Sequence, residues 1–231
     1  LQHPFFGEIA KAISHSIRSR DYGLIIAASE DDPAIEAREI EGLIARQVDA
    51  IVLASVQTSA SGSVFERLAQ SQMPYVLIDR NFPGLEANYV GVDDTAIGST
   101  ATEHLVSRGC RRIAHLRGPK VSTGIGRLKG YRQALKKHGI PVPPEYVVEL
   151  KGGDSHSEEN GFEGMQRLLS LYPVPDGVFC YNDEVAIGAL RAILKAGLDV
   201  PEDIAVIGVD NIRFADLLRV PLSSIDQDSD Q

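Results

Sequence analysis

Short apolar runs alternate with helix-length stretches along almost the whole chain, and this rhythm limits the possible folds more than any other feature. Strand-like runs are expected at Leu24–Ala28, Ala50–Ala54, Tyr75–Ile78, Arg112–Leu116, Tyr146–Leu150, Gly177–Tyr181 and Ile204–Val209. Helical patterns fall at Phe5–Arg18, Pro33–Arg46, Val64–Ala69, Thr95–Ser107, Gly126–Lys137, Glu158–Ser170 and Glu184–Ala196. Such alternation means βαβ units: parallel strands joined by right-handed crossovers. The count is too large for one small sheet, and a break at R-G-C-R (108–111) falls about midway. The expected architecture is therefore α/β, with two similar lobes of parallel sheet flanked by helices and a cleft between them. Residues 1–109 form the first lobe and 110–210 the second, while 211–231 make a return crossover toward the first.

The stretch V-P-E-D-I-A-V-I-G-V-D-N (200–211) carries the sharpest local signal. A proline-marked turn feeds an apolar, β-branched run of the kind that is buried on both faces of a parallel sheet. It ends on Gly208 with Asp210 and Asn211 just beyond. Ligands of open α/β sheets bind at the carboxyl ends of the strands, so this pair is a candidate ligand hook. The alternative is that one of the two merely caps the following helix.

With 231 residues the chain can bury roughly 70–75% of its unfolded surface, enough for real cores without disulfides or metal. Hydrophobic residues make up 43% and charged residues 24%, as in ordinary soluble domains. No apolar run approaches the ~20 residues that span a bilayer, and Leu1–Phe6 lacks the marks of an export signal. Cys110 and Cys180 read as free, buried thiols in a reducing compartment. The balance of 32 acids against 23 Lys and Arg gives a net charge of −9, which offers no electrostatic footprint for nucleic acid.

Catalytic readings find little support. Gly153-Asp154-Ser155-His156 looks like an esterase nucleophile block, but no later acid–histidine pair follows, and a serine without a base is not activated. Gly124-x-Gly126-x-x-x-Gly130 is one residue too long for the dinucleotide fingerprint. The six histidines are scattered without metal-ligand spacing. Asp31-Asp32 before Pro33 reads as a helix start. No cofactor, metal or enzymatic activity is expected.

Several segments, in order, resemble the effector-binding domain of lactose/galactose-repressor (LacI/GalR) transcription regulators. They are H-P-F-F-G-E-I (3–9), V-D-A-I-V-L-A-S (48–55), V-G-V-D-D (90–94), H-L-V-S-R-G (104–109), G-R-L-K-G-Y (126–131), N-D-E-V-A-I-G-A-L (182–190) and P-L-S-S-I-D-Q (221–227). Each piece is weak, but the ordered set spans nearly the whole chain. The resemblance implies a two-lobed fold like that of type I periplasmic sugar-binding proteins, with a small effector in the cleft. It also implies a fragment. Family members carry a helix-turn-helix, a hinge helix and a central first strand before the P-F-F segment, and they continue past P-L-S-S-I.

The effector-binding residues that the resemblance implies are Phe5, Phe6, Ser55, Asp93, Thr123, Arg127, His156, Asn182 and Asp210. In relatives the arginine matching Arg127 projects into the cleft, where its planar fork can clamp adjacent hydroxyls or a carboxylate. Arg127→Ala is accordingly expected to abolish binding with the fold nearly intact. Asn182 and Asp93 could equally serve as helix caps, Asp183 is expected to be structural, and Ser55 is a cleft hydroxyl at a strand end. One of Phe5 and Phe6 lies against the effector and the other in the core. His156 stands where relatives often place an aromatic, and Val121 where purine-binding relatives have an arginine. The donor and acceptor mixture favours a sugar or sugar derivative over a purine. The implied protein is a cytoplasmic, homodimeric, allosteric repressor that contacts operator DNA through a domain outside this sequence. The rival reading is a periplasmic sugar-binding protein serving a transporter.

Overall fold

The computed structural model describes residues 3–61, 63–150 and 156–228, so positions 153–155 of the esterase-like block lie outside the described residues. The backbone divides into two units. The first comprises residues 1–92 with 120–123, and the second 93–119 with 124–229, single terminal residues aside.

In the first unit, helices α1 (Pro4–Arg18), α2 (Pro33–Ala45) and α3 (Ser63–Gln70) accompany strands β1 (Ile51–Leu53), β2 (Tyr75–Ile78) and β3 (Asn88–Val90). The strands form one parallel sheet in the order β1-β2-β3. Its core gathers Ile40, Ile51, Leu53, Val64, Phe65, Leu68, Leu77 and Phe82. The start of α2 follows the sequence closely: Asp32 accepts from the backbone N–H groups of Ala34 and Ile35, with Pro33 as the first helical residue.

The expected strand at Leu24–Ala28 does not form, and all five residues are exposed. An apolar run becomes a strand only when a neighbour takes up its backbone N–H and C=O groups. No described strand lies beside this one.

The second unit is built on β4 (Ile113–Arg117), β5 (Val147–Glu149), β6 (Gly177–Cys180), β7 (Ala205–Val209) and β8 (Ser223–Ile225). These run parallel in the order β5-β4-β6-β7-β8. Helices α4 (Asp94–Ser107), α5 (Ser122–Lys137), α6 (Ser157–Leu169) and α7 (Asp183–Lys195) complete the βα pattern. Strands β6 and β7 are buried along their whole length, as their unbroken apolar runs require.

Helices approach closely through glycine. A Cβ on Gly188 of α7 would lie 2.0 Å from the Glu158 carbonyl oxygen of α6, and one on Gly161 of α6 would lie 2.2 Å from that of Val185. Gly98 of α4 and Gly130 of α5 interlock in the same way, each 2.1 Å from a backbone oxygen of the facing helix. No larger residue fits these positions without moving a helix.

Two boundaries differ from expectation. The division comes after Val92 rather than at Gly109, because α4 packs within the second unit through Gly98 and the Asp94–Arg127 pair. Residues 211–228 also stay with the second unit, since β8 pairs with β7 from Ile207↔Ser223 to Val209↔Ile225.

Candidate functional site

The order of the second sheet contains a reversal. The chain passes from β4 to β5 on one side, then returns to place β6, β7 and β8 on the other. At such a switch point adjacent crossovers diverge and leave a crevice at the carboxyl ends of the strands, where ligands of α/β sheets bind. Here the switch point lies between β4 and β6.

Arg127, on α5 after β4, reaches that end of the sheet. Its Nε donates to Asp94 Oδ1 at 2.9 Å, one Nη donates to the Tyr181 carbonyl oxygen at 2.7 Å, and the guanidinium lies 4.8 Å from the centre of the Tyr181 ring. Tyr181 immediately follows β6. Both members of the ion pair are nearly inaccessible, with side chains 3% and 9% exposed. Burial raises the Asp94 pKa from its ordinary value, against the opposing pull of Arg127. The guanidinium is thus held in place before any ligand arrives. Arg127→Ala would strand a buried carboxyl, so the expectation of a nearly intact fold is revised.

Asn182 follows Tyr181 and caps α7, its Oδ1 accepting from the Val185 N–H at 2.9 Å. Asp210 follows β7 with φ 111°, a backbone conformation that a residue with a Cβ adopts only under constraint. Its Oδ1 accepts from Gln227 Nε2 at 2.5 Å. Gln227 lies just beyond β8. One or two residues past the ends of three neighbouring parallel strands therefore stand Asn182, Asp210 and Gln227, all buried. Guanidinium, amides and carboxylate together offer donors and acceptors in one place.

Asp183 is wholly buried, with Ser224 Oγ–H and the Ile212 N–H donating to its two oxygens at 2.7 and 3.0 Å. Desolvation pushes its pKa up to about 6, although these hydrogen bonds and Arg127 act in the opposite direction. The sequence-based expectation of a structural role matches these contacts.

The remaining expected residues sit as follows. Asp93 is exposed and caps α4 through the N–H groups of Thr95 and Ala96. Thr123 is fully buried as the second residue of α5, and His156 is exposed at the N-cap of α6 without a capping side-chain bond. In the first unit Phe5 is buried and Phe6 partly so, with their rings edge to face at 5.3 Å. Ser55 lies past the end of β1, as expected, but its hydroxyl is committed: it donates to Glu36 Oε1 at 2.9 Å. The same carboxylate accepts from the Val56 N–H and from Gln57 Nε2, which ties the loop to α2. Ser55 is thereby part of a buried network with Glu36 and the following loop.

Three residues at strand ends were not singled out from sequence. Asp79 and Arg80 directly follow β2, with Arg80 only 4% exposed and one Nη donating to the Ser55 carbonyl. Gln227 is the third. The rule that identified Asp210 applies equally to Asp79 and Arg80, since a charged pair follows the apolar run Tyr75–Ile78. Among the described residues no three His, Cys, Asp or Glu side chains converge to hold a metal.

Comparisons with known proteins identify the family and the fold. Residues 102–231 match the model of the periplasmic binding protein-like domain. The chain is 34% identical over 232 residues to the ribose operon repressor of Escherichia coli K12, covering 99% of this chain and 68% of the repressor. The chain belongs to the lactose/galactose-repressor family. It is also 31% identical to the HTH-type transcriptional regulator DegA of Bacillus subtilis, covering 98% of this chain and 66% of that protein. It thus spans about two thirds of the length of these curated relatives. A LacI family regulator from Lactobacillus casei, solved with bound glucose, superposes with a TM-score of 0.82 at 27% identity, covering 99% of this chain and 84% of that one. The family fold matches the parallel sheets flanked by helices seen here. No described helix is long and apolar enough to cross a membrane.

Proposed function

We propose that this chain is the effector-binding part of a transcriptional repressor, and that its effector is a sugar or sugar derivative. The observation that carries the reading is the set Arg127, Asn182, Asp210 and Gln227 at the carboxyl ends of β6, β7 and β8 and beside the β4/β6 switch point. A polyol presents several hydroxyls, each both donor and acceptor, and needs this mixture of fixed partners. Phe5, Phe6, Ser55, Asp93, Thr123 and His156 remain candidate contacts. The L. casei regulator was solved with glucose and with sucrose, which supports the sugar class. Val121 in place of an arginine argues against a purine.

Effector binding acts by favouring one arrangement of a two-state protein, through its different affinity for the two states. Coupling of ~1–3 kcal/mol changes operator affinity by several-fold to a hundredfold. With a net charge of −9, these residues leave DNA contact to a segment outside them. The regulator is a cytoplasmic homodimer in this reading, which suits paired operator half-sites. Catalysis has no part in it. The transporter-protein reading is less well supported, because the curated relatives are repressors and regulators.

A thermal-shift panel of sugars, nucleosides and purine bases tests the effector class. A rise in melting temperature with at least one sugar is expected. A response confined to purines would overturn the assignment.

A further inference from the structure

We infer, building on the effector reading above, that Asp183 is a positioning residue that holds the Asp210–Ile212 turn in the shape that presents Asp210 to the effector. Asp183 opens α7, next to Asn182, yet its carboxylate is spent on the turn after β7. One oxygen accepts from the Ile212 N–H, and the other from Ser224 Oγ. Ser224 Oγ in turn accepts from the Asn211 N–H at 2.9 Å. The two successive residues with positive φ, Asp210 at 111° and Asn211 at 51°, lie inside this clamp. Conformations of that kind persist only where the surroundings over-determine them. Asp183 supplies the link from α7, and the Asp210 N–H bond to the Ile225 carbonyl supplies the link from β8.

The strand beneath is shaped to let the carboxylate through. A Cβ on Gly208 would lie 2.1 Å from Asp183 Oδ1, so β7 carries glycine at this point. Burial also disfavours the ionised form of Asp183. A charged group that is costly to bury, and whose hydrogen bonds converge on one strained turn, fits a role in geometry better than one in stability.

Three variants of this chain test the assignment: Asp183→Ala, Asp183→Asn and, as a control for lost stability alone, Met165→Ala on the buried face of α6. Amide hydrogen exchange at Asn211 and Ile212 is measured together with the affinity for the sugar that most stabilises the wild type. Asp183→Ala should speed exchange at those two amides selectively and weaken the sugar by about tenfold or more, the scale for losing charge-assisted hydrogen bonds. Asp183→Asn should restore most of the affinity, because its amide can still accept from Ile212 and meet Ser224. Met165→Ala should lower the melting temperature with sugar affinity unchanged at temperatures where it is folded. Should Asp183→Ala not fold, Ser224→Ala, which removes the clamp's second arm, should speed exchange at Asn211, the amide that Ser224 accepts from, and weaken the sugar. Unchanged exchange at Asn211 and Ile212, or altered exchange with wild-type affinity, overturns the inference. Failure of every sugar to bind the wild type would instead refute the effector reading, and the exchange data would still decide whether Asp183 holds the turn.

Discussion

Replacing Gly188 by alanine is a sharp test of how α6 and α7 are held together. The new Cβ would sit 2.0 Å from the Glu158 carbonyl oxygen, 2.7 Å from the Phe162 backbone nitrogen and 2.9 Å from the Glu158 carbonyl carbon. Comfortable non-bonded contact is about 3.5 Å, so the helices must separate by roughly an ångström or more. Only backbone is in the way, and no side chain can swing aside. Overpacking of this kind costs ~1–3 kcal/mol, against ~0.5–1 kcal/mol returned by replacing a helical glycine. The net loss of about 1–2 kcal/mol lowers the melting temperature by ~2–8 °C for a protein of this size. Gly42 on α2 is the matched control, because nothing lies within 4 Å of its Cβ position. There the same substitution should raise stability by ~0.5–1 kcal/mol. Scanning calorimetry of both variants reads the two signs. A Gly188→Ala protein as stable as the wild type would refute the close helix contact.

Three further outcomes follow from buried groups. Asp94→Ala leaves the Arg127 guanidinium buried without its carboxylate and should cost ~3–5 kcal/mol in urea titrations, whereas a loss below 1 kcal/mol would mean that the pair is not buried in solution. His115 is fully buried, stacked on Phe179 at 4.4 Å, with Nδ1–H donating to the Phe179 carbonyl and no hydrogen-bond partner for Nε2. Desolvation lowers its pKa from 6.5 to about 3. The folded state therefore binds fewer protons than the unfolded state between these values. The resulting stability is full above pH 6.5 and falls as pH drops, by ~2 kcal/mol at pH 5. His115→Phe should remove that part of the acid slope in denaturant midpoints measured from pH 7.5 to 5, and an unchanged slope would show that another group causes it. Finally, Glu36→Ala should release the Ser55–Gln57 loop and destabilise the protein by ~1–3 kcal/mol without abolishing sugar binding, since three donors lose one buried acceptor. Loss of binding with unchanged stability would show that this network serves the effector site rather than the fold.

Much of the fold can be read directly from sequence, and the exceptions share a cause. Strands β4, β6 and β7 carry runs such as I-A-H-L-R and A-V-I-G-V, which need burial on both faces wherever they lie. Strands β3 and β8 carry only N-Y-V and S-S-I, and they are strands because β2 and β7 offer them partners. Leu24–Ala28 is the converse: a strong strand composition with no described strand alongside it. Pairing is a property of the neighbour as much as of the segment.

The site divides in the same way. Asn182 and Asp210 stand out because each lies within two residues of the end of a buried strand. Asp79 and Arg80 carry the same mark after a weaker one. The partner of Arg127 is 33 residues away on α4, and that of Ser55 is 19 residues away on α2. Neither distance matches a helical or strand repeat, so only the packed structure reveals that both side chains are already engaged. For Arg127 this means a guanidinium oriented in advance. For Ser55 it means a hydroxyl already hydrogen-bonded to Glu36.

The most direct test of the central claim is a crystal structure of this chain with the sugar that raises its melting temperature most. The account predicts sugar oxygens within hydrogen-bonding distance, about 2.6–3.2 Å, of both the Arg127 guanidinium and the Asp210 carboxylate. A sugar bound elsewhere, with neither group in contact, would contradict it.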